Sequence, residues 1–252
     1  MGDIKLFTIG PKNVQELDGH AAGLERSLQV IFERNLETLL GVRFLESEYA
    51  TSHGGRMDTL GIDENGCPVI IEYKRDRSEN VINQGLFYLD WLMDHKAAFE
   101  LIVQNKLGRK VADNIEWLAP RLICIASDFT KYDEHAVNQM HRNIELIRYR
   151  RFGESLILLD LLTATNASKS SLYSQTTSSS PQTYKTISEM INEADGDVGE
   201  LYQDVQAFLV SRGDDVQEKV LRFYVAYKRI KNFACVEVKN QIKVIRLYLK
   251  VN

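Results

Sequence analysis

Asp58, Glu72 and Lys74 are the residues of this 252-residue chain whose types and spacing best suit chemistry. They lie in two strand-like runs, Gly55-Arg56-Met57-Asp58-Thr59-Leu60-Gly61-Ile62 and Val69-Ile70-Ile71-Glu72-Tyr73-Lys74. The intervening Asp63-Glu64-Asn65-Gly66 is turn chemistry. A hairpin centred on Asn65 sets Asp58 opposite Glu72, and directly opposed residues have Cβ atoms about 5 Å apart. Two like charges at that distance destabilise a sheet unless a cation sits between them. Glu72 and Lys74 are two residues apart and share a strand face. Two carboxylates and an ammonium therefore converge on one spot. Hard carboxylate oxygens bind Mg²⁺. Such an ion lowers the pKa of a bound water and stabilises charge on a phosphate. Lys74 can position or activate the water or neutralise the transition state. The Tyr73 carbonyl is a further candidate ligand. An E-x-K triplet alone is also what an ordinary half-exposed hairpin shows. Val69–Ile71 is apolar on both faces, however, so its charged end must lie beside a buried sheet, where carboxylates need a partner.

The following segment adds Gln84 and Tyr88, at i and i+4 on one helix face. Gln84 can hold a phosphate or base and Tyr88 can stack or hydrogen-bond beside it; simple helix packing explains the same pair. His53 precedes Gly54 and Gly55 at the entry to the Asp58 run, where it either touches a phosphate or forms part of a plain loop. Arg56, Arg75 and Arg77 flank the same strand ends, as nucleic-acid backbone contacts or as solvated surface. Arg148 and Arg150 share a strand face, as a substrate rim or a wet sheet face.

The order Asp58 … Glu72-Tyr73-Lys74, then Gln84-Gly85-Leu86-Phe87-Tyr88, resembles the PD-(D/E)xK nucleases, and the QxxxY extension resembles their RecB-type branch. The layout is also similar to the nuclease domain of archaeal and actinobacterial mismatch or branched-DNA endonucleases. There a helix carrying a glutamate precedes a G-R-(I/M)-D strand and an E-x-K strand. Glu25 is the best match to that glutamate, with Glu33 and Glu37 as rivals. The family's usual proline is replaced by Met57. The resemblance covers Leu24 to Asp90 and implies a restriction-endonuclease-like α/β fold, a central mixed sheet flanked by helices. It further implies Mg²⁺- or Mn²⁺-dependent cleavage of DNA, with Asp58 and Glu72 on the metal and Lys74, Glu25, Gln84 and Tyr88 assisting. A non-catalytic binding module on the same fold is the alternative.

The elements that must position these residues are readable in outline. Apolar residues recur at helical spacing from Leu24 to Leu40, and Gly41 ends the pattern. Strands are expected over 42–50, 56–62, 68–74, 121–126, 144–150 and 155–162. Helices are expected over 78–95, where Ser78 caps and Glu79 suits the dipole, and over 133–142. From Thr163 to Thr183, 12 of 21 residues are Ser or Thr, which predicts a linker. It separates a body, 1–162, from a small α+β domain, 184–252. In the latter, helices are expected over 184–193, 198–211 and 215–230, then a hairpin, 234–239 and 242–250, turning at Asn240. The run from Tyr227 to Ala234 resembles an uncharacterised domain that follows such nuclease-like bodies.

Composition bounds the rest. Apolar residues make up 44%, enough for a core, and net charge is −4, so the whole molecule does not advertise a polyanion partner. No apolar run reaches the roughly 18 residues a membrane span needs. Cys67, Cys124 and Cys235 lie far apart without metal-ligand spacing, which fits a reducing cytoplasm. Between Lys219 and Lys250 there are nine Lys or Arg against Glu237 alone, while 189–218 holds nine acids and Arg212. The basic part can bind nucleic acid, or its cations can pair with the acidic part. DNA is the expected partner, a membrane is not, and a homodimer stays open.

Overall fold

The structure, a computed structural model, describes residues 4–21, 25–75, 80–165, 186–194 and 196–250. In chain order its first elements are β1 (Leu6–Ile9), β2 (Val14–Leu17), β3 (Gly19–His20), α1 (Glu25–Arg34) and α2 (Leu36–Leu40). Next come β4 (Val42–Ala50), β5 (Arg56–Asp63), β6 (Pro68–Tyr73), α3 (Val81–Asp94), α4 (Lys96–Leu107) and α5 (Arg109–Ala112). Then follow β7 (Arg121–Ala126), α6 (Lys131–Asn138), β8 (Asn143–Phe152) and β9 (Leu156–Ala164). The last are α7 (Ile187–Asn192), α8 (Gly196–Val210), β10 (Gln217–Val220), β11 (Val225–Lys228), β12 (Asn232–Lys239) and β13 (Val244–Leu249).

The fold is mixed α/β. Its central sheet has the order β3-β8-β7-β6-β5-β4, with β9 also on β8. β6, β7 and β8 run parallel, and the hairpins β4–β5, β5–β6 and β8–β9 are antiparallel. β6 is buried along its whole length, as an interior strand covered on both faces should be. Alternate residues feed two cores. Ile70, Leu122 and Leu146 face Val81, Leu89, Leu92 and Phe99 of α3 and α4. Ile71, Tyr73, Ile123 and Tyr149 face Leu28, Phe32, Leu36 and Leu40 of α1 and α2. α3 lies so close to β7 that a Cβ on Gly85 would come within 2.4 Å of the Leu122 side chain.

Several elements depart from sequence expectation. The first helix is broken at Asn35, whose backbone leaves helical geometry and whose side chain bonds back to the Ile31 carbonyl. Gly41, at φ +66°, does end the second piece. α6 starts earlier than expected because Thr130 and Asp133 form a reciprocal capping box. Ser78 and Glu79 lie outside the described residues, as does most of the Ser/Thr-rich segment. The helix expected over 215–230 is instead two strands, β10 and β11. Its aromatic spacing mimics a helical face, but all four residues of β11 are buried between β10 and β12, and tertiary pairing overrides the local pattern. These strands belong to a separate antiparallel sheet, β10-β11-β12-β13, packed against α7 and α8.

That second sheet touches the first through buried charge. Arg121 is bidentate to Glu145, at 2.8 and 2.9 Å, and reaches Asp63 at 2.9 Å. Lys228 of β11 adds a 2.9 Å bond to Glu145, and Lys219 donates to the Ala119 carbonyl at 3.1 Å. The C-terminal cations are thus divided. Arg229 pairs with Asp215 of the acidic segment, while Lys219, Lys228, Lys231 and Lys250 reach the body. Among the described residues no helix is long and apolar enough to cross a membrane.

Candidate catalytic site

The β5–β6 ladder pairs Thr59 with Ile71, Leu60 with Ile70 and Gly61 with Val69. One step further along, Asp58 and Glu72 meet across the two strands. They do not bond directly to each other. The Asp58 N–H donates to Glu72 Oε1 at 3.1 Å, and the Tyr73 N–H donates to Asp58 Oδ2 at 2.9 Å. Glu72 is fully buried, and its second oxygen, Oε2, has no hydrogen-bond partner among the described residues. Burial, then the neighbouring Asp58 charge, pushes the Glu72 carboxyl up to about 9. Burial also raises Asp58, against the Tyr73 N–H bond and the Lys74 charge, which lower it. Beside Glu72 on β7 lies Cys124. Burial and then the Glu72 charge push that thiol up.

Lys74 follows the last residue of β6, and its N–H continues the ladder to the Ile125 carbonyl at 2.8 Å. Its ammonium lies 3.3 Å from Glu25 Oε1, while Glu25 Oε2 accepts from the Arg75 N–H at 3.2 Å. The first residue of α1 thus ties the end of β6 down. Of the rivals to Glu25, Glu33 accepts from Thr59 and Gln29, and Glu37 is exposed. Tyr88 and Gln84 come together at 3.3 Å, and the Tyr88 hydroxyl accepts from the Arg56 N–H at 3.1 Å. They hold the start of β5, and among the described residues neither bonds to Asp58 or Glu72. Gly55, at φ +86°, leaves room for this contact, since a Cβ there would sit 2.7 Å from the Tyr88 hydroxyl.

The remaining expected residues scatter. His53 meets His95 edge to face, 5.4 Å between ring centres, at the far end of α3. Arg75 is exposed, and its carbonyl accepts from Tyr149 at 3.2 Å. Arg77 lies outside the described residues. Arg148 is neither a rim nor a wet face, being buried and paired with Asp160 and Asp128.

Three site neighbours escaped the sequence reading. Gln29 is buried on α1, and its amide donates to the Asp58 carbonyl at 2.8 Å, to Glu33 at 2.9 Å and to Ser47 at 3.3 Å. Its polar side chain one turn after Glu25, between apolar Leu28 and Phe32, was the available signal. Arg26 donates to Gln29 Oε1 at 3.1 Å and to Glu48 Oε1 at 2.8 Å. Glu48 falls opposite Asp58 on the other side, between the pairs Ser47–Thr59 and Tyr49–Met57. Its backbone has φ +54°, which nothing in the sequence announces.

The donor set fits a hard divalent cation. Glu72 Oε2 is a buried acceptor without a donor among the described residues, and the Asp58 exchange uses only one of its two oxygens. Among the described residues, no three His, Cys, Asp or Glu side chains gather closely enough to hold a metal ion. Mg²⁺ typically takes one or two protein carboxylates and completes its shell with water and substrate phosphate. Two carboxylates, Asp58 and Glu72, are within that number.

No protein-family model matches the chain. An uncharacterized protein of Haemophilus influenzae is 28% identical over 262 residues, covering 98% of this chain and 84% of the relative. Among solved structures, EndoMS in a complex with double-stranded DNA overlaps 50% of this chain at 21% identity and a TM-score of 0.35. A repair endonuclease from Pyrococcus abyssi overlaps 52% at 20% identity and a TM-score of 0.33. EndoMS in its apo form overlaps 54% at 20% identity and a TM-score of 0.33. The chain spans 45 to 49% of the length of those solved chains.

Proposed function

We propose that the protein is a divalent-metal-dependent nuclease that hydrolyses DNA phosphodiester bonds, with Asp58, Glu72 and Lys74 as its catalytic centre. The observation that carries this reading is the buried Glu72 carboxylate, held by the Asp58 N–H through one oxygen while the other has no donor among the described residues. Asp58, Glu72 and the Tyr73 carbonyl would hold Mg²⁺ or Mn²⁺, which when bound lowers the pKa of water and stabilises charge on a phosphate. Lys74 would offer its positive charge to the developing charge on the phosphate. Glu25 orients Lys74. Gln84 and Tyr88 fix the strand that delivers Asp58. Arg56 and Arg75 stand at the strand ends as contacts for the DNA backbone.

Purified protein with Mn²⁺ or Mg²⁺ should cut linear or circular DNA. Glu72→Gln and Lys74→Ala should abolish cutting while leaving the circular dichroism spectrum unchanged. Equal cutting by the variants rejects the assignment. A non-catalytic nucleic-acid-binding module is the second reading, favoured by one observation: among the described residues no three His, Cys, Asp or Glu side chains gather closely enough to hold a metal ion. DNA binding without any calorimetric Mn²⁺ site would select that second reading.

A further inference from the structure

Around Asp58 the structure sets a bridge of three charged side chains that the metal chemistry does not use. Glu48 lies opposite Asp58 on β4, and Glu72 lies opposite it on β6, so three acids form a row across adjacent strands. Acids in such a row repel. Glu48 departs from the regular strand, since a non-glycine residue at φ +54° is uncommon. Its carboxylate is engaged by two guanidinium groups, Arg26 at 2.8 Å through Oε1 and Arg56 at 3.7 Å through Oε2. Both arginines are mostly exposed, at 61 and 66% of their side chains, whereas Glu48 is half-buried at 32%.

Both arginines are also registered to the catalytic strand. Arg26 bonds to Gln29, whose amide bonds to the Asp58 carbonyl. Arg56 is two residues before Asp58, and its N–H is fixed on the Tyr88 hydroxyl. Guanidinium groups bind carboxylate and phosphate through the same fork of donors. A carboxylate shared by two exposed arginines therefore stands where a phosphate oxygen pair fits, and exposed ion pairs of this kind are weak enough to be exchanged.

We propose that Arg26 and Arg56 form a clamp for one backbone phosphate of the DNA strand entering the site, and that Glu48 is the clamp's internal occupant, which the phosphate displaces. The clamp lies beside the site described under the proposed function and rests on that reading for its DNA ligand. It assigns to Glu48 a competitor's role rather than that of a metal ligand.

The test uses the full chain and a short fluorescent DNA duplex, with its single strand alongside, in EDTA so that no cleavage occurs. Glu48→Gln removes the competitor and should tighten binding about tenfold, equivalent to roughly 1.4 kcal/mol. Arg26→Ala and Arg56→Ala should each weaken binding and reduce the slope of log affinity against log salt by about one. Melting temperatures and circular dichroism confirm folding, and Arg26→Lys, which keeps the charge without the fork, should fall between wild type and Arg26→Ala. Unchanged affinity in Glu48→Gln, or unchanged salt slopes in both arginine variants, overturns the clamp. So does a Glu48→Gln protein whose DNA affinity is unaltered while calorimetric Mn²⁺ binding is lost. Mn²⁺-dependent cleavage by the wild type, measured in parallel, separates the two ideas. Cleavage with unaltered variant binding removes the clamp alone, and the expected binding changes without cleavage remove the nuclease reading alone.

Discussion

Asp58 and Glu72 face each other across β5 and β6, yet each is held by the opposite strand's backbone: Glu72 Oε1 accepts from the Asp58 N–H at 3.1 Å, and Asp58 Oδ2 from the Tyr73 N–H at 2.9 Å. This exchange fixes two like-charged groups side by side. Burial and the Asp58 charge then push the Glu72 carboxyl up from 4.5 to about 9. The sign of the consequence follows from proton counting. Below pH 4.5 both folded and unfolded chains carry the Glu72 proton, and stability does not depend on it. Between 4.5 and about 9 the unfolded chain has lost the proton and the folded chain keeps it, so stability falls as pH rises. In metal-free protein Glu72→Gln should therefore raise the melting temperature by several degrees at pH 8 and hardly at all at pH 4. Each kcal/mol moves the midpoint by roughly 2–4 °C in a chain of this size. A uniform shift at both pH values would contradict the burial of an uncompensated carboxyl.

Cation binding must discharge that proton. A carboxylic acid held neutral at pH 7 becomes a ligand only as a carboxylate, so binding and deprotonation are linked. Mn²⁺ titrated calorimetrically into wild-type protein at pH 7, in buffers of different ionisation enthalpy, should release about one proton per bound ion. Glu72→Gln should show neither the site nor the buffer dependence. Heats independent of buffer in the wild type would remove Glu72 from the ligand set.

Gln29 ties α1 to β4 and β5 beside the site. One amide group serves the Asp58 carbonyl, Glu33 and Ser47, and its oxygen accepts from Arg26. Leucine fills the same space with no donor or acceptor. Gln29→Leu takes this donor from the Asp58 carbonyl and should cost about 1–3 kcal/mol, read by chemical denaturation. Any DNA cutting should fall further than stability alone accounts for, because the Asp58 strand loses a support. A variant as stable and as active as the wild type would show the amide to be idle.

The carboxylate hairpin was legible because period-two alternation and a four-residue turn fix a register, and the observed ladder follows from centring that turn on Asn65. Glu25 could be chosen over Glu33 and Glu37 as the partner of Lys74 only once α1 was placed over the sheet. Glu48 was invisible, because its part depends on a left-handed backbone inside a strand and on an arginine 22 residues earlier. The strands β10 and β11 were misread because Phe223, Tyr224 and Tyr227 recur at near-helical spacing. What decides them is pairing with β12 and burial of Lys228 against Glu145, both remote in sequence. The hairpin of β1 and β2 gave no readable signal, as its residues are mostly exposed and carry little alternation.

The buried contact between Lys228 and Glu145 makes the C-terminal sheet a partner in the stability of the body. Two carboxylates, Asp63 and Glu145, and two cations, Arg121 and Lys228, are all nearly inaccessible. Three of the four belong to the body and leave it one negative charge in excess, which Lys228 of β11 neutralises across 83 residues of sequence. Burial opposes ionisation of Glu145, but the charges of Arg121 and then Lys228 hold it well below the usual carboxylate range. Burial pushes Lys228 down to about 8, still charged at neutral pH. Removing one partner of such a group leaves an uncompensated buried charge, at a cost of about 3–5 kcal/mol. Lys228→Met should lose stability on that scale in urea denaturation at pH 7. Adding Glu145→Gln should restore part of it, since the excess negative charge goes with the carboxylate. A chain ending at residue 165 should unfold at lower urea than the full chain for the same reason. Additive losses in the double variant, or a truncated body as stable as the whole, would mean that the two sheets only touch and do not support one another.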